Sequence, residues 1–198
     1  PEINGIQQKQ ELMDALELQE SNAQLMERNW SDPALTFPMV MKAASITAFR
    51  EDVFAGIVIS VGGLTESVAK HATAAMLEWA KLGRGAARVH SFQVLLQLMK
   101  RHRREGRFIL PLLKTLDMLF THRCLDELMD SKTNFAETLL SNLKAEGKGC
   151  EDVHRLFAIG NVTIGILSSP PDEKSIKKEA LAFLCVMLSH DYPRVRNY

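Results

Sequence analysis

The apolar run at residues 54–67 constrains the fold more than any other part of the chain. Four of its residues follow the i, i+3, i+4, i+7 spacing that lines one face of an α-helix, namely Phe54, Ile57, Val58 and Val61. Gly62-Gly63 predicts the end of that helix, because glycine takes the left-handed cap conformation without steric cost. Thr65 can cap a second helix, with Glu66 near its positive end. The run therefore predicts a helix, a glycine turn and a further helix.

A second interpretation of the same run is a strand that leads into a phosphate-binding loop at Gly62-Gly63, since its β-branched residues favour strands. Such a loop needs more than two glycines. Neither G-x-G-x-x-G nor G-x-x-x-x-G-K-[ST] occurs in the chain, so the backbone cradle and the phosphate-binding lysine are both missing. The helical interpretation is therefore favoured, and a nucleotide-binding enzyme is the alternative function that a strand here would support.

Apolar stripes of helical period recur along the rest of the chain, separated by glycine, serine and proline breaks. They predict helices at about residues 34–44, 47–61, 66–82, 87–104, 108–121, 134–145, 151–167 and 172–189, with a short segment at 125–129. Four helix pairs between Pro33 and His190 give about 40 residues per pair, within the period of HEAT and armadillo repeats. The predicted fold is all-α, an α-solenoid of HEAT/armadillo-like helix pairs in a right-handed superhelix.

The predicted repeats occupy residues 31–198, whereas residues 1–30 predict a separate N-terminal helical segment with a thin apolar stripe. Gly106 is expected to end the helix before it, and Pro111 is expected in the first turn of the helix after it. Gly160 and Gly165 destabilise a helix by about 1 kcal/mol each relative to alanine, which suggests close helix crossing. The apolar face of that helix is predicted to comprise Val153, Leu156, Phe157, Ile164 and Leu167.

Composition excludes several classes of function. With 24 basic and 24 acidic residues, the chain as a whole is no polyanion binder. Its three cysteines are odd in number and widely spaced, which is typical of reduced thiols in a cytosolic protein, and His122 with Cys124 supplies too few ligands for zinc.

No apolar run reaches the roughly 18 residues of a membrane span and no signal peptide is visible, so an intracellular, soluble chain is expected. The first residue, Pro1, suggests a fragment of a longer polypeptide.

Three segments in order carry a resemblance to a known family. They are residues 56–70 (GIVISVGGLTESVAK), residues 111–117 (PLLKTLD) with Thr121-His122 just beyond, and residues 180–196 (ALAFLCVMLSHDYPRVR). Together they resemble the C-terminal domain of tubulin-folding cofactor D, a large HEAT-repeat chaperone. The resemblance does not clearly cover residues 1–30. Repeat period and resemblance independently indicate an α-solenoid.

The resemblance implies a non-enzymatic, protein-binding chaperone module that acts in the cytoplasm, associated with the cytoskeleton and the centrosome. It implies binding to β-tubulin, cooperation with the other tubulin-folding cofactors and an Arf-like small GTPase, and assembly or disassembly of the αβ-tubulin heterodimer. It also implies that the complex promotes GTP hydrolysis by tubulin. The nucleotide belongs to tubulin and to the GTPase, so no cofactor is expected on this chain. A HEAT-repeat scaffold of another pathway, such as transport or phosphatase assembly, is the alternative.

The basic run at residues 100–107 is the one local charge feature, with five basic residues and one acidic residue for a net charge of +4. It is open to three interpretations: a solvated helix end that complements the negative helix terminus, a site for an acidic protein surface such as the glutamate-rich tail of tubulin, or a nucleic-acid or localisation signal. No aromatic residues interleave the charges as stacking platforms, so nucleic acid is not expected. The candidate protein-binding residues are Lys100, Arg101, Arg103, Arg104 and Arg107.

Catalytic and metal-binding motifs do not appear in the sequence. G-x-S-x-G and H-E-x-x-H are both missing, and the six histidines are scattered singly along the chain. We therefore expect no catalytic residue and no metal site.

Overall fold

A computed structural model of the chain describes residues 2–15, 31–82, 86–129, 133–170 and 174–189. Across these residues the chain forms nine α-helices and no strand, so the predicted all-α class is confirmed. The helices are α1 (Glu2–Ala15), α2 (Pro33–Lys42), α3 (Thr47–Val61), α4 (Glu66–Leu82), α5 (Ala86–Arg101), α6 (Gly106–Thr121), α7 (Phe135–Gly147), α8 (Val153–Ser168) and α9 (Lys174–Leu188). Short 3-10 turns occupy Ala43–Ser45 and Asp126–Met129. Within the described ranges, every helix falls short of the length and apolarity that a membrane crossing requires.

The chain divides into two compact units, Pro1–Leu82 and Gly83–Tyr198. In the first unit α4 contacts both α2 and α3, and in the second α5 contacts α7, α6 contacts α8, and α7 contacts α9. Contacts between a helix and the next helix but one are typical of stacked helical pairs, so the expected repeat architecture is found within each unit. The handedness of the superhelix and the domain division after residue 30 stay predictions, and the predictions for residues 16–30 and 190–198 lie outside the described residues.

The glycine turn after α3 joins two helices as predicted, but through a different backbone conformation. Gly62 has φ −85° and ψ 2°, so the predicted left-handed cap is wrong. The Gly62 N–H instead donates to the Val58 carbonyl at 3.2 Å, which continues the helical turn. At Gly63 an added Cβ would lie 3.0 Å from the Ser60 carbonyl oxygen, so close approach to the helix end favours glycine there. Because helices flank the turn on both sides, the strand and phosphate-loop interpretation is wrong.

Helices α6 and α8 form the centre of the second unit and run parallel, since Asp117 contacts Asn161 and Phe120 contacts Gly165. An added Cβ on Gly165 would come within 2.6 Å of the Phe120 ring, which confirms close crossing at this glycine. At Gly160 it would lie 3.8 Å from the end of Met187, an ordinary contact. Close crossing is therefore confirmed at one of the two predicted glycines.

The buried face of α8 is rotated from the predicted one. Ile164 was predicted on that face, but it is 47% exposed. The face in the core is centred instead on Ile159, Val162 and Ile166, at i, i+3 and i+7. Of the predicted set only Leu156 is fully buried, and its other four members are half-buried or exposed.

Helix α6 begins earlier than its sequence suggests. The Glu105 carbonyl accepts hydrogen bonds from the N–H groups of Phe108 (2.9 Å) and Ile109 (2.8 Å), so Glu105 is the N-cap and Gly106 opens α6. Gly106 therefore does not end α5, and Pro111 lies inside α6 rather than in its first turn; both predictions are wrong. Proline cannot donate to the carbonyl four residues before it. That carbonyl belongs to Arg107, an exposed residue, so water can satisfy it.

Candidate functional site

The predicted basic run forms a sharp corner between α5 and α6, defined here as residues 100–107 and called the basic corner. Helix α5 ends at Arg101, three residues before its predicted end, and residues 102–105 connect it to α6. The five predicted binding residues all lie on this corner, and all five are exposed: Lys100, Arg101, Arg103, Arg104 and Arg107. The whole candidate set is therefore solvent-exposed at the connection between α5 and α6.

Arg104 gives the corner its shape. Its φ of 67° is in the left-handed region, which a non-glycine residue occupies at a cost of about 1–2 kcal/mol. The Arg104 backbone N–H donates to both carboxylate oxygens of Glu146 on α7, at 3.1 and 3.3 Å. Glu146 is only 3% exposed, and a hydrogen bond to a buried charged group contributes about 1.5–3 kcal/mol. This bond is strong enough to hold the strained corner in place while the Arg104 residue remains exposed.

His102 fixes the other side of the corner. Its ring stacks on Phe108, with centroids 4.1 Å apart and planes inclined by 25°. Its Nδ1 lies 2.9 Å from Oε2 of Glu105, and its carbonyl accepts the Glu105 N–H at 3.0 Å. Because the Glu105 carboxylate is engaged with His102, it makes no side-chain cap for α6. The one acidic residue of the corner is thus held by a neighbouring imidazole.

The helix ends add to the positive charge of the corner. The N-terminus of α6 carries a partial positive charge from aligned peptide dipoles. The C-terminus of α5 carries the opposite partial charge, but Lys100 and Arg101 lie in its last turn and offset it. A surface of one sign attracts partners of the opposite sign and accelerates their association. The corner can therefore recognise carboxylates, and it offers backbone geometry that is already fixed.

A buried polar network lies beneath the corner. Glu146 pairs with Nη1 of Arg155 on α8 at 3.8 Å, and Nε of Arg155 donates to the Cys150 sulfur at 3.0 Å. The Arg155 side chain is 15% exposed, and its Nη1 makes no hydrogen bond in addition to that ion pair. The Asp152 carboxylate caps α8 by accepting the Arg155 N–H at 3.3 Å. The network joins the basic corner to the start of α8.

Sequence reasoning missed Glu146, which lies 42 residues from Arg104. A signal was nevertheless present in α7. Glu146 continues the buried stripe of Leu139 and Leu143, since it lies seven residues after the first and three after the second, and a charged residue at such a position needs a partner. A carboxylate on the apolar face of a helix therefore indicated a buried ion pair, although not which residues complete it.

His122 and Cys124, which the sequence analysis considered as zinc ligands, differ in their exposure to solvent. His122 is exposed, whereas Cys124 is buried and its thiol donates to the His122 backbone carbonyl at 3.6 Å. Among the residues that the structure describes, no three His, Cys, Asp or Glu side chains cluster closely enough to hold a metal ion. The three cysteines are free thiols, with Cys185 exposed.

The stacked helical pairs and their exposed charged corner define a helical-repeat protein. The family model described as tubulin folding cofactor D C terminal matches residues 1–155 of the 198, so the chain belongs to this family of tubulin-folding chaperones. The match begins at residue 1 and includes both the basic corner and residues 1–30, which the sequence resemblance did not clearly cover. The third resembling segment, residues 180–196, lies beyond it. No solved structure matches the chain.

Proposed function

We propose that this chain is a protein-binding module that binds β-tubulin through the basic corner, with the glutamate-rich tail of tubulin as the acidic partner. The observation that supports the proposal is a row of five exposed cations on a fixed corner, in a chain that belongs to a tubulin-folding family. The module acts without catalysis of its own, in the cytoplasm and at the cytoskeleton and centrosome. It works with the other tubulin-folding cofactors and an Arf-like small GTPase, whose complex promotes GTP hydrolysis by tubulin.

The physical mechanism is multivalent charge pairing on a preformed surface. Each exposed ion pair contributes about 0.2–1 kcal/mol, so four or five pairs together contribute about 1–5 kcal/mol. The contribution depends on salt, because exposed charges are screened over about 8 Å at physiological ionic strength. The hydrogen bond from Arg104 to Glu146 already orders the corner, which lowers the conformational entropy lost on binding.

Binding to the tail alone does not assemble or separate tubulin subunits. A chaperone shifts that equilibrium only by the difference between its affinities for the β-tubulin monomer and for the αβ heterodimer. We propose that the basic corner makes the first contact with β-tubulin and raises the association rate constant. A second surface of the chaperone then distinguishes the monomer from the heterodimer.

Charge reversal of the corner tests the proposal. Lys100, Arg101, Arg103 and Arg104 are replaced by glutamate, and β-tubulin binding is measured by fluorescence anisotropy at low and high salt. We expect the Kd to rise at least about tenfold at low salt, and the salt dependence to become small. The matched control reverses four exposed lysines elsewhere on the chain: Lys70, Lys81, Lys114 and Lys178.

The control variant has the same net charge, so it separates the corner from the overall charge of the chain. Circular dichroism confirms that both variants fold. Equal losses of affinity in the two variants, or an unchanged affinity in the corner variant, would show that the corner is only a solvated helix end.

A further inference from the structure

The second unit carries a groove at the opposite end of α6 from the basic corner. It lies between the C-terminal halves of α6 and α8, beyond the contact of Gly165 with Phe120, and encloses about 390 Å³. The polar side chains that matter for the inference are Asp117, Thr121, Asp126, Asn161, Ser168 and Ser169, and the space they line is called the α6–α8 groove. Asp117 lies ten residues after Arg107, the last residue of the basic corner, so the two sites are about 15 Å apart along α6 at a rise of about 1.5 Å per residue.

The hydroxyl groups of the groove present only acceptors. Thr121 donates to the Asp117 carbonyl at 2.9 Å, and Ser168 and Ser169 donate to carbonyls of α8 at 2.9 and 2.8 Å. A hydroxyl has one hydrogen to donate and two lone pairs. Since each hydrogen is already bonded within a helix, what remains for a ligand is the lone pairs.

The two carboxylates of the groove are weakly engaged. Asp117 is half-buried, and Oδ2 accepts a hydrogen bond from Nδ2 of Asn161 at 3.5 Å, the long limit for such a bond. Asp126 pairs at 3.2 Å with Nε of Arg123, the one cation among the described residues that line the groove, but the Arg123 side chain is 72% exposed. An exposed ion pair contributes little and can exchange for another. Both carboxylates can therefore accept hydrogen bonds from a ligand.

The helix ends give the groove a negative field. Parallel α6 and α8 place their C-termini on the same side, at Thr121 and Ser168, and each terminus carries a partial negative charge. Ile164, 47% exposed, adds an apolar wall. The groove thus combines acceptors, carboxylates and negative helix ends with a surface for an aliphatic stem.

We propose that the α6–α8 groove binds an arginine side chain presented by a protein partner, with Asp117 as its anion. A guanidinium carries five N–H donors in a plane and a fixed positive charge, and it loses its hydration more readily than the ammonium of lysine. A groove that offers several acceptors suits such a group. The inference does not depend on the proposed function, because the groove and the basic corner are opposite in charge and lie at opposite ends of α6.

The test uses the peptide acetyl-Gly-Arg-Gly-amide with the ¹⁵N-labelled 198-residue chain. We expect saturable amide shifts confined to residues 117–126 and 161–169, with a Kd on the order of 1 mM. The same peptide with citrulline, a neutral analogue of arginine, is expected to bind at least about tenfold more weakly.

Two variants move the affinity in opposite directions. Asp117→Asn removes the anion and weakens binding of the arginine peptide about tenfold. Arg123→Asn removes the competing cation, and asparagine tolerates the left-handed φ of 56° at that position, so binding tightens about twofold. Amide resonances outside the groove that keep their wild-type positions show that each variant is folded.

Several outcomes would overturn the inference. They are equal binding of the citrulline peptide, an affinity that Asp117→Asn leaves unchanged, and no saturable shift up to about 10 mM. Equal binding of the corresponding lysine peptide would overturn the assignment to arginine.

Discussion

Two glycines on α8 are predicted to respond to alanine substitution in opposite directions. At Gly165 an added Cβ would lie 2.6, 2.8 and 2.9 Å from Cγ, Cδ2 and Cβ of Phe120. Phe120 is 7% exposed, and its Cβ is fixed by the backbone of α6, so relief requires α6 and α8 to separate. At Gly160 the nearest atom is Cε of Met187 at 3.8 Å, the flexible end of a side chain.

The magnitudes follow from these distances. Alanine stabilises a helix interior by about 1 kcal/mol relative to glycine, and this gain applies at both positions. Overpacking of a core costs about 1–3 kcal/mol, and the Phe120 contacts are short enough to put Gly165→Ala at the upper end. Gly165→Ala is therefore expected to lower the free energy of unfolding by about 2 kcal/mol, whereas Gly160→Ala raises it by about 1 kcal/mol.

Urea unfolding followed by far-UV circular dichroism measures both changes. Because the chain has two compact units, amide hydrogen exchange of residues 153–168 assigns the change to the second unit. A Gly165→Ala variant as stable as the wild type would refute the inferred helix contact. If Gly160→Ala destabilised the chain as much as Gly165→Ala, α8 would disfavour an added Cβ at either position, whatever its distance from the nearest atom.

Two further predictions concern the network beneath the basic corner. Glu146→Ala leaves the Arg104 N–H and the Arg155 guanidinium without their carboxylate, so we expect a loss of about 3 kcal/mol in thermal or urea unfolding and faster exchange of the Arg104 amide. Glu146→Gln keeps an acceptor oxygen and should lose less; an equal loss would contradict the role of the hydrogen bond. Asp152→Ala removes the α8 cap and should lower the free energy of unfolding by about 1 kcal/mol, while Asp152→Asn should be near neutral. Equal unfolding midpoints for the two Asp152 variants would contradict capping.

Local sequence patterns predicted the helices well. The bounds of α3 and α4 agree with the predicted residues 47–61 and 66–82, because the apolar spacing and the glycine breaks act within a few residues. The helix ends near residue 106 were harder to predict. Glycine there is compatible with either a helix end or a helix start, and the choice depends on the stacking of His102 on Phe108 and on the turn at Arg104.

The candidate site was predicted only in part. The charges of the basic corner are consecutive in sequence, so the run at residues 100–107 was visible directly. The backbone geometry was not, because Glu146 stabilises it across 42 residues. The α6–α8 groove could not be predicted for the same reason. Asp117 and Asn161 are 44 residues apart in sequence, and they come together because α6 and α8 pack in parallel, which no local pattern specifies. The residue types of a site can therefore be read from a local stretch of sequence, whereas its geometry depends on contacts between helices that are distant in sequence.

The most direct test of the central claim is the salt dependence of β-tubulin binding, measured with intact β-tubulin and with β-tubulin that lacks its glutamate-rich tail. If the basic corner binds the tail, the intact protein binds at least about tenfold more tightly at low salt, and this difference shrinks as the salt concentration rises. Equal affinities and equal salt dependences for the two forms of β-tubulin would contradict the account.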